Sequence, residues 1–123
     1  MKKETVQSIA SLILFKFLPE IRVGHWLTAS YAMHMATGGM YDFLSTWLDG
    51  FVEVATGKYG RFDALKCEGE DVKFDAKTWI SGMRELCDGL KKETAGERDT
   101  DLSNIVDEIL AEVNKFAYLL TLK

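Results

Sequence analysis

The chain has 123 residues, of which 47% are hydrophobic and 28% are charged, and its formal net charge is −4. This length and balance fit one folded domain, and the acidic charge argues against a surface built to bind nucleic-acid phosphates. A single proline and strong helix formers throughout leave little room for turn-rich β structure, so the composition favours an all-α protein.

Hydrophobic residues recur at helical spacing in four segments of the chain. In the first segment, Pro19 is expected to kink or restart the helix, because its ring removes a backbone donor. The second helix has Ser30 as its N-cap candidate and is expected to stop at Gly57. We predict helices over about residues 4–28, 31–56, 75–94 and 101–122.

The segment 57–74 is the longest without a clear helical pattern, and it joins the second helix to the third. The other two connections are short turns. A bundle of four helices with one long connection is the ferritin-like arrangement. We therefore predict a single ferritin-like four-helix bundle over residues 1–123, with a long crossover between helices 2 and 3.

The two cysteines form no CxxC pair and have no histidine nearby, so a zinc site of the usual spacing is not expected. Cys87 falls on an apolar helical face, where a cysteine packs as a small core residue. Cys67 lies in the long connection. We expect no disulfide between them and predict a reducing compartment.

The chain has one short apolar run, Leu12–Phe15, that could suggest membrane insertion. It is far too short to span a bilayer, and Lys16 interrupts it. The acidic Glu4 ahead of it argues against a signal peptide. We predict a cytoplasmic protein that does not enter the membrane.

The two histidines of the chain, His25 and His34, flank the expected turn between helices 1 and 2. On one continuous helix, their spacing of nine positions would place them on opposite faces. A hairpin near Ser30 instead places them at a similar depth on neighbouring antiparallel helices. A joint ligand role therefore requires the turn.

Three carboxylates, Asp42, Asp49 and Glu53, share one stripe of helix 2. Large apolar residues lie on either side of the stripe, so these groups must be paired, bound to metal or placed on a solvated edge. His34 and Asp49 are fifteen positions apart, about 22 Å along a helix axis, so they cannot bind one metal within one chain. Two copies of helix 2, packed antiparallel across a two-fold axis, could bring both histidines of one copy toward Asp49 and Glu53 of the other, forming two equal sites.

The glycine pair Gly38–Gly39 lies between the histidines and these carboxylates, where it could permit a close crossing of two helices. Imidazole and carboxylate ligands suit iron, manganese or zinc. A second interpretation stays open. The same polar side chains could satisfy one another in a dimer seam without any metal.

The run His25-Trp26, then His34, then Asp49-x-x-x-Glu53 resembles the Dps-type miniferritins, the DNA-binding proteins from starved cells. In that family, too, the aspartate follows the second histidine by fifteen positions. The chain resembles more closely a set of short ferritin-like proteins, several of them from phages and large DNA viruses. That resemblance covers about residues 20–61 and includes the run Gly57-Lys58-Tyr59-Gly60.

The resemblance implies iron binding, with possible iron oxidation and sequestration, at sites shared between subunits. The metal ligands that it implies are His25, His34, Asp49 and Glu53. It also implies a homo-oligomer, either a two-fold dimer or a larger shell, in the cytoplasm, or in a host cytoplasm or virion for a virus-encoded chain.

The chain departs from the Dps pattern at Gly38, where that family has an aspartate, and Asp42 could substitute for it one turn further on. The acidic balance and the lack of a basic tail argue against DNA protection of the Dps kind. The alternative prediction is a ferritin-like structural or interaction protein without redox activity.

Overall fold

The computed structural model describes residues 1–67, 69 and 71–122, and within these residues it is helical without strands. A π-helical turn, Ile13–Phe17, connects α1 to α2, so that residues 3–27 form one continuous first rod. A short 3-10 turn, Glu97–Asp99, precedes α5. The helices are α1 (Lys3–Leu12), α2 (Leu18–Leu27), α3 (Tyr31–Tyr59), α4 (Ala76–Glu93) and α5 (Thr100–Leu119).

Within the described residues, the prediction of an all-helical fold with four long helical segments is confirmed. The segments begin and end within a few residues of the predicted limits. None of the helices in the described part of the chain is long and apolar enough to cross a membrane.

The first rod changes its backbone hydrogen bonding just before its proline. The π-helical turn ends at Phe17, and Pro19 then lies in the first turn of α2. Proline has no N–H to donate, and a helix tolerates it best in a first turn, where that donor would have no partner. The proline expected to kink or restart the helix thus follows directly on a change from π- to α-type hydrogen bonding, while the backbone stays helical through it.

The core lies between the four rods, and Trp79 of α4 is at its centre. The Trp79 ring meets Phe17 edge-on at 5.9 Å and Phe116 at 5.4 Å, and its Nε1 donates to the Phe17 carbonyl at 3.0 Å. Trp47 of α3 is also buried and donates to the carbonyl of Ile105 at 2.7 Å. Other fully buried core residues are Ile13, Ile21, Leu44, Phe51, Met83, Leu102 and Val106.

Both ends of α3 are defined by the residues that flank it. Ser30 is the N-cap as predicted, because its hydroxyl accepts a hydrogen bond from the Met33 N–H at 3.2 Å. The prediction that Gly57 ends the helix is wrong. The helix continues to Tyr59 and ends at Gly60, whose φ of 91° is the conformation that favours glycine.

The connection from α3 to α4 runs along the first rod. Near its start, the carbonyl of Ala64 accepts a hydrogen bond from Gln7 in α1. At its end, the Phe74 ring packs on Gly24 in α2, at a distance where a β-carbon could not fit. The connection thus returns the chain to the end of the bundle where α3 began, and α4 runs in the same direction as α3.

Both cysteines are free thiols. Cys87 is buried in the core, and burial raises the pKa of its thiol to about 11. The Cys67 thiol is exposed in the connection.

One buried carboxylate joins three separate parts of the chain at the end of the bundle opposite the histidines. Asp99 is 5% exposed, and it accepts hydrogen bonds from the Tyr59 hydroxyl and from the amino group of Met1, the latter at 3.3 Å. Lys58 lies 3.2 Å from Asp99 and 2.8 Å from Asp101. The Tyr59 hydrogen bond, followed by those of Lys58 and the amino group, lowers the pKa of the Asp99 carboxyl.

We predict that Asp99→Asn lowers the free energy of unfolding by about 1.5–3 kcal/mol at pH 7, the range for hydrogen bonds to charged groups. Because the folded-state pKa of Asp99 lies below its ordinary value of 3.8, its stabilisation is complete above that value. It is lost as the pH falls through the folded-state pKa. Urea denaturation at several pH values should therefore show the two proteins converging in strong acid.

The matched control is Asp107→Asn, which removes an exposed ion pair to Lys91 at 2.8 Å. This variant should lose less than about 1 kcal/mol. Equal losses for the two variants would show that the Asp99 cluster contributes no more than a surface ion pair.

Candidate metal centre

The hairpin between α2 and α3 brings His25 and His34 into direct contact. Their rings stack with centroids 3.8 Å apart and planes 17° from parallel. Each ring also contacts the other residue's backbone: His25 Nδ1 lies 2.6 Å from the His34 carbonyl oxygen, and His34 Nδ1 lies 2.9 Å from that of His25. The predicted meeting of the two histidines across the turn is confirmed.

These contacts determine which ring nitrogens can bind a ligand. A carbonyl oxygen only accepts, so each Nδ1 must carry the proton and donate it. In the neutral ring this leaves Nε2 with its lone pair, the arrangement common in metal-binding histidines. Because the two ring planes are nearly parallel, their lone pairs do not converge on one point. Each imidazole therefore offers one ligand of its own.

The histidine contacts also complete the hairpin. The carbonyl of His25 lies in the last turn of α2, where it has no partner within the helix, and His34 supplies the missing donor. Thr37, which is fully buried, lies 3.2 Å from His25 Nδ1 and donates to the Met33 carbonyl at 2.7 Å. The pair is thus part of the local structure as well as a candidate ligand set.

The absence of a side chain at Gly38 makes room for a contact within the chain. The His25 ring lies against α3 at this position, and a β-carbon on Gly38 would be 3.0 Å from His25 Cε1. Nothing lies within 4 Å of the corresponding position on Gly39. The sequence suggested that both glycines could permit a close crossing with another helix. Gly39 could still do so, but the space beside Gly38 is occupied by the His25 ring.

The three carboxylates predicted as ligands are all exposed on α3. Among the described residues, no basic side chain forms an ion pair with Asp42, Asp49 or Glu53. In the same part of the chain, no three His, Cys, Asp or Glu side chains are grouped closely enough to hold a metal ion. The structure therefore joins the two histidines to each other but leaves the carboxylates apart from them.

The exposed hydrophobic surface at the hairpin was not apparent from the sequence. Trp26, Leu27 and Tyr31 are 69%, 79% and 78% exposed, and we call these three residues the hairpin tip. Met35, one turn into α3, is 56% exposed. With more than two thirds of its surface exposed, Trp26 lies outside the core. The signal that could have located the tip is its position beside the chain reversal at Ser30.

Residues 25–120 match the model of the family described as "Family of unknown function (DUF5856)". The chain belongs to this family. The matched segment begins at His25 and includes both histidines, the three carboxylates and the connection to α4. Comparisons with the curated proteins and with the solved structures found no match.

We predict opposite effects for alanine at the two adjacent glycines. Gly39→Ala should raise the free energy of unfolding by about 0.5–1 kcal/mol, because the new methyl group meets open space and alanine favours a helix. Gly38→Ala should lower it by about 1 kcal/mol, because the His25 ring is held on both sides and crowding in packed regions costs about 1–3 kcal/mol. Thermal and urea denaturation measure both changes.

The histidine resonances in NMR spectra provide an independent check. Gly38→Ala should shift the signals of both rings by disturbing the stack, whereas Gly39→Ala should leave them near their original positions. Stabilisation by both alanines would mean that the His25 ring is free to move.

Proposed function

We propose that the protein binds divalent metal ions of the iron, manganese and zinc group at sites shared between two copies of the chain. His25 and His34 of one copy supply imidazole ligands, and Asp49 and Glu53 of the other supply carboxylates. The observation that carries the proposal is the pair of histidines whose Nδ1 atoms are occupied by backbone carbonyls.

The chemistry of the donor set fits such ions. Neutral imidazole nitrogens and carboxylate oxygens are the ligands that iron, manganese and zinc share. Hydrogen bonds from Nδ1 to a backbone carbonyl, which orient a ligating histidine, are already present on both rings. Each ring offers one lone pair, and the two lone pairs do not converge on one point. The four proposed ligands therefore suit two neighbouring cations bridged by carboxylates better than one cation held by both rings.

A second copy is needed because of the length of α3. His34 and Asp49 are separated by about 22 Å along this helix, so Asp49 and Glu53 can reach the histidines only from another chain. A two-fold axis then creates two identical sites, each made from both chains. Asp42 lies eight positions from His34, about 12 Å along the axis, and we therefore leave it outside the site.

The activity proposed for iron is the oxidation of iron(II), the substrate, by molecular oxygen, which accepts the electrons, followed by sequestration of the iron(III) product. Two findings support this choice over simple metal binding. The His25, His34, Asp49 and Glu53 pattern resembles that of miniferritins, and the long connection that leaves α3 and α4 pointing in the same direction is typical of ferritin-like bundles. The proposal includes assembly of such dimers into a larger shell that stores the metal.

One observation favours a different function. The Nδ1 atoms of both histidines are satisfied within the chain, so the pair already has a structural role that needs no metal. A ferritin-like protein that pairs through α3 and performs no redox chemistry would use the same residues. Metal content and iron-dependent oxygen consumption of the purified protein distinguish the two functions.

We predict that His34→Ala and Glu53→Gln each weaken the binding of Mn²⁺ or Zn²⁺ about tenfold or more, because each removes a ligand. Isothermal titration calorimetry measures the affinity, and oxygen consumption with iron(II) should fall in parallel. Asp42→Asn is the control, since this carboxylate is exposed on the same helix but lies outside the proposed site. Unchanged affinities in all three variants would contradict the site.

A mixing experiment tests whether the sites are shared. One chain carries His25→Ala and His34→Ala, and the other carries Asp49→Asn and Glu53→Gln. Neither should bind metal alone, but co-expression should restore about a quarter of the wild-type sites, because half of the dimers are mixed and each has one intact site. No recovery in a confirmed mixed dimer would show that each site is built from a single chain.

A further inference from the structure

We propose that the hairpin end of the bundle binds the surface of a phospholipid bilayer, with the hairpin tip placed among the lipid headgroups. The contact is shallow and needs no helix that spans the membrane. It involves a single copy of the chain and goes beyond the proposed metal binding. It also differs from the sequence prediction of a protein outside the membrane, which considers only the run Leu12–Phe15 of the first rod.

The hairpin lies in the longest part of the chain without a charged residue, histidine apart. Between Arg22 and Asp42 there are nineteen residues without Asp, Glu, Lys or Arg, although these residues make up 28% of the chain. The segment includes the last turn of α2, the chain reversal at Ser30 and the first turns of α3. This end of the hairpin can therefore enter a headgroup layer without burying an ionised carboxylate or ammonium group.

Large hydrophobic side chains are exposed at the same end. The three residues of the hairpin tip are between 69% and 79% exposed. Tyr118 in the last turn of α5 and Leu122 just after that helix are 62% and 47% exposed. Large apolar groups that share one surface mark a contact with a protein or a membrane. Tryptophan and tyrosine are enriched where proteins cross the boundary between lipid and water.

The register of α5 against α3 places these two groups of residues at one end of the bundle. The hydrogen bond from Trp47 to the Ile105 carbonyl joins the two antiparallel helices. Tyr31 lies sixteen positions before Trp47, and Thr121 lies sixteen positions after Ile105. Both are therefore about 24 Å from that bond along the helix axes. One planar surface can contact the hairpin tip and the end of α5 together.

Basic side chains border this surface on three of the four rods. Counted from the hairpin end, the first charged residue is Arg22 in α2, Lys77 in α4 and Lys115 in α5. In α3 it is Asp42, about 16 Å from Tyr31 along the axis, beyond the roughly 5–10 Å to which interfacial segments enter a bilayer. Lysine and arginine extend their charged ends toward lipid phosphates from such a border. This pattern favours a phospholipid surface over an apolar patch on a protein.

The connection into α4 adds charges of both signs at the border. Its exposed charged residues nearest to the hairpin are Asp71, Lys73 and Asp75. The Asp75 carboxylate caps α4 by accepting hydrogen bonds from the Thr78 N–H at 3.0 Å and the Thr78 hydroxyl at 2.6 Å. Phe74 packs on Gly24, before the hairpin tip, so the connection leaves the tip uncovered.

The experiment measures flotation of the full chain with vesicles made of equal parts of phosphatidylcholine and phosphatidylglycerol. Chelator is present, so that the proposed metal sites play no part. The wild-type protein should float with the vesicles. Leu27→Ser should lower the partition coefficient about tenfold, the loss expected when a leucine side chain is no longer buried in lipid.

The matched control is Leu14→Ser, the same change at a leucine of the first rod that is 42% exposed. It lies thirteen positions before Leu27, about 20 Å further from the hairpin end. This variant should float as the wild type does. Circular dichroism should show that both serine variants keep the wild-type helix content.

Trp26 provides a second readout because Trp47 and Trp79 are buried in the core. On vesicle binding, the emission of Trp26 should shift to shorter wavelength, and brominated lipid should quench it. Trp26→Phe should keep the flotation but lose both spectral changes, since phenylalanine retains an apolar ring. Trp26→Ser should lose flotation as well.

The outcomes separate this surface from the proposed metal sites. Flotation that is weakened by Leu27→Ser but not by Leu14→Ser supports the inference, even if the protein binds no metal. A wild-type protein that does not float, or equal losses for the two serine variants, overturns it. A dimer in chelator that Leu27→Ser dissociates, without flotation of the wild type, also overturns it, because the tip would then be a contact between copies.

Discussion

The rise of one straight helix constrains everything that the candidate ligands can do. Helix α3 has 29 residues and extends along the whole bundle, so its first and last turns lie at opposite ends. His34 lies in the first turn of α3, where it stacks on His25, whereas Asp49 and Glu53 lie in the second half. No side-chain rearrangement can close a gap of about 22 Å. A shared site must therefore be a property of an assembly, whereas the contact between His25 and His34 is a property of the single chain.

The structural and metal-binding roles of the two histidines do not exclude each other. The hydrogen bonds that complete the end of α2 use the Nδ1 atoms, and a metal would use the Nε2 atoms. Rings held in this way lose little further freedom when a ligand binds, which favours affinity. Gly38 belongs to the same arrangement, since the absence of its side chain lets the His25 ring lie on α3. The glycine that replaces the aspartate of the Dps pattern thus has a physical reason within this chain.

Periodicity predicted the helices well because each one buries a continuous apolar face, as Trp79 and its neighbours in α4 illustrate. It failed at the end of α3, which depends on a single backbone angle. Gly57 and Gly60 are equivalent in the sequence pattern, but of the two only Gly60 adopts a positive φ and ends the helix. Periodicity also did not separate the exposed Trp26 from core residues, since the hydrophobic effect that favours burial is the same at an interface as in a core; the available signal was its position beside the chain reversal at Ser30. The meeting of the histidines could be predicted, because it required only a turn of the right length.

An exposed glycine within a helix does not by itself indicate an interface. Gly89 of α4 has the same open surroundings as Gly50, and no contact within the chain accounts for it either. What distinguishes α3 is that Gly39, Gly50 and Gly57 share its exposed side with carboxylates that lack ion pairs among the described residues. The same side begins at an apolar hairpin tip. Each feature alone would be an ordinary surface cost of a few tenths to about 1 kcal/mol. Their coincidence on one helix makes the exposed side of α3 the surface on which the proposed shared sites would form.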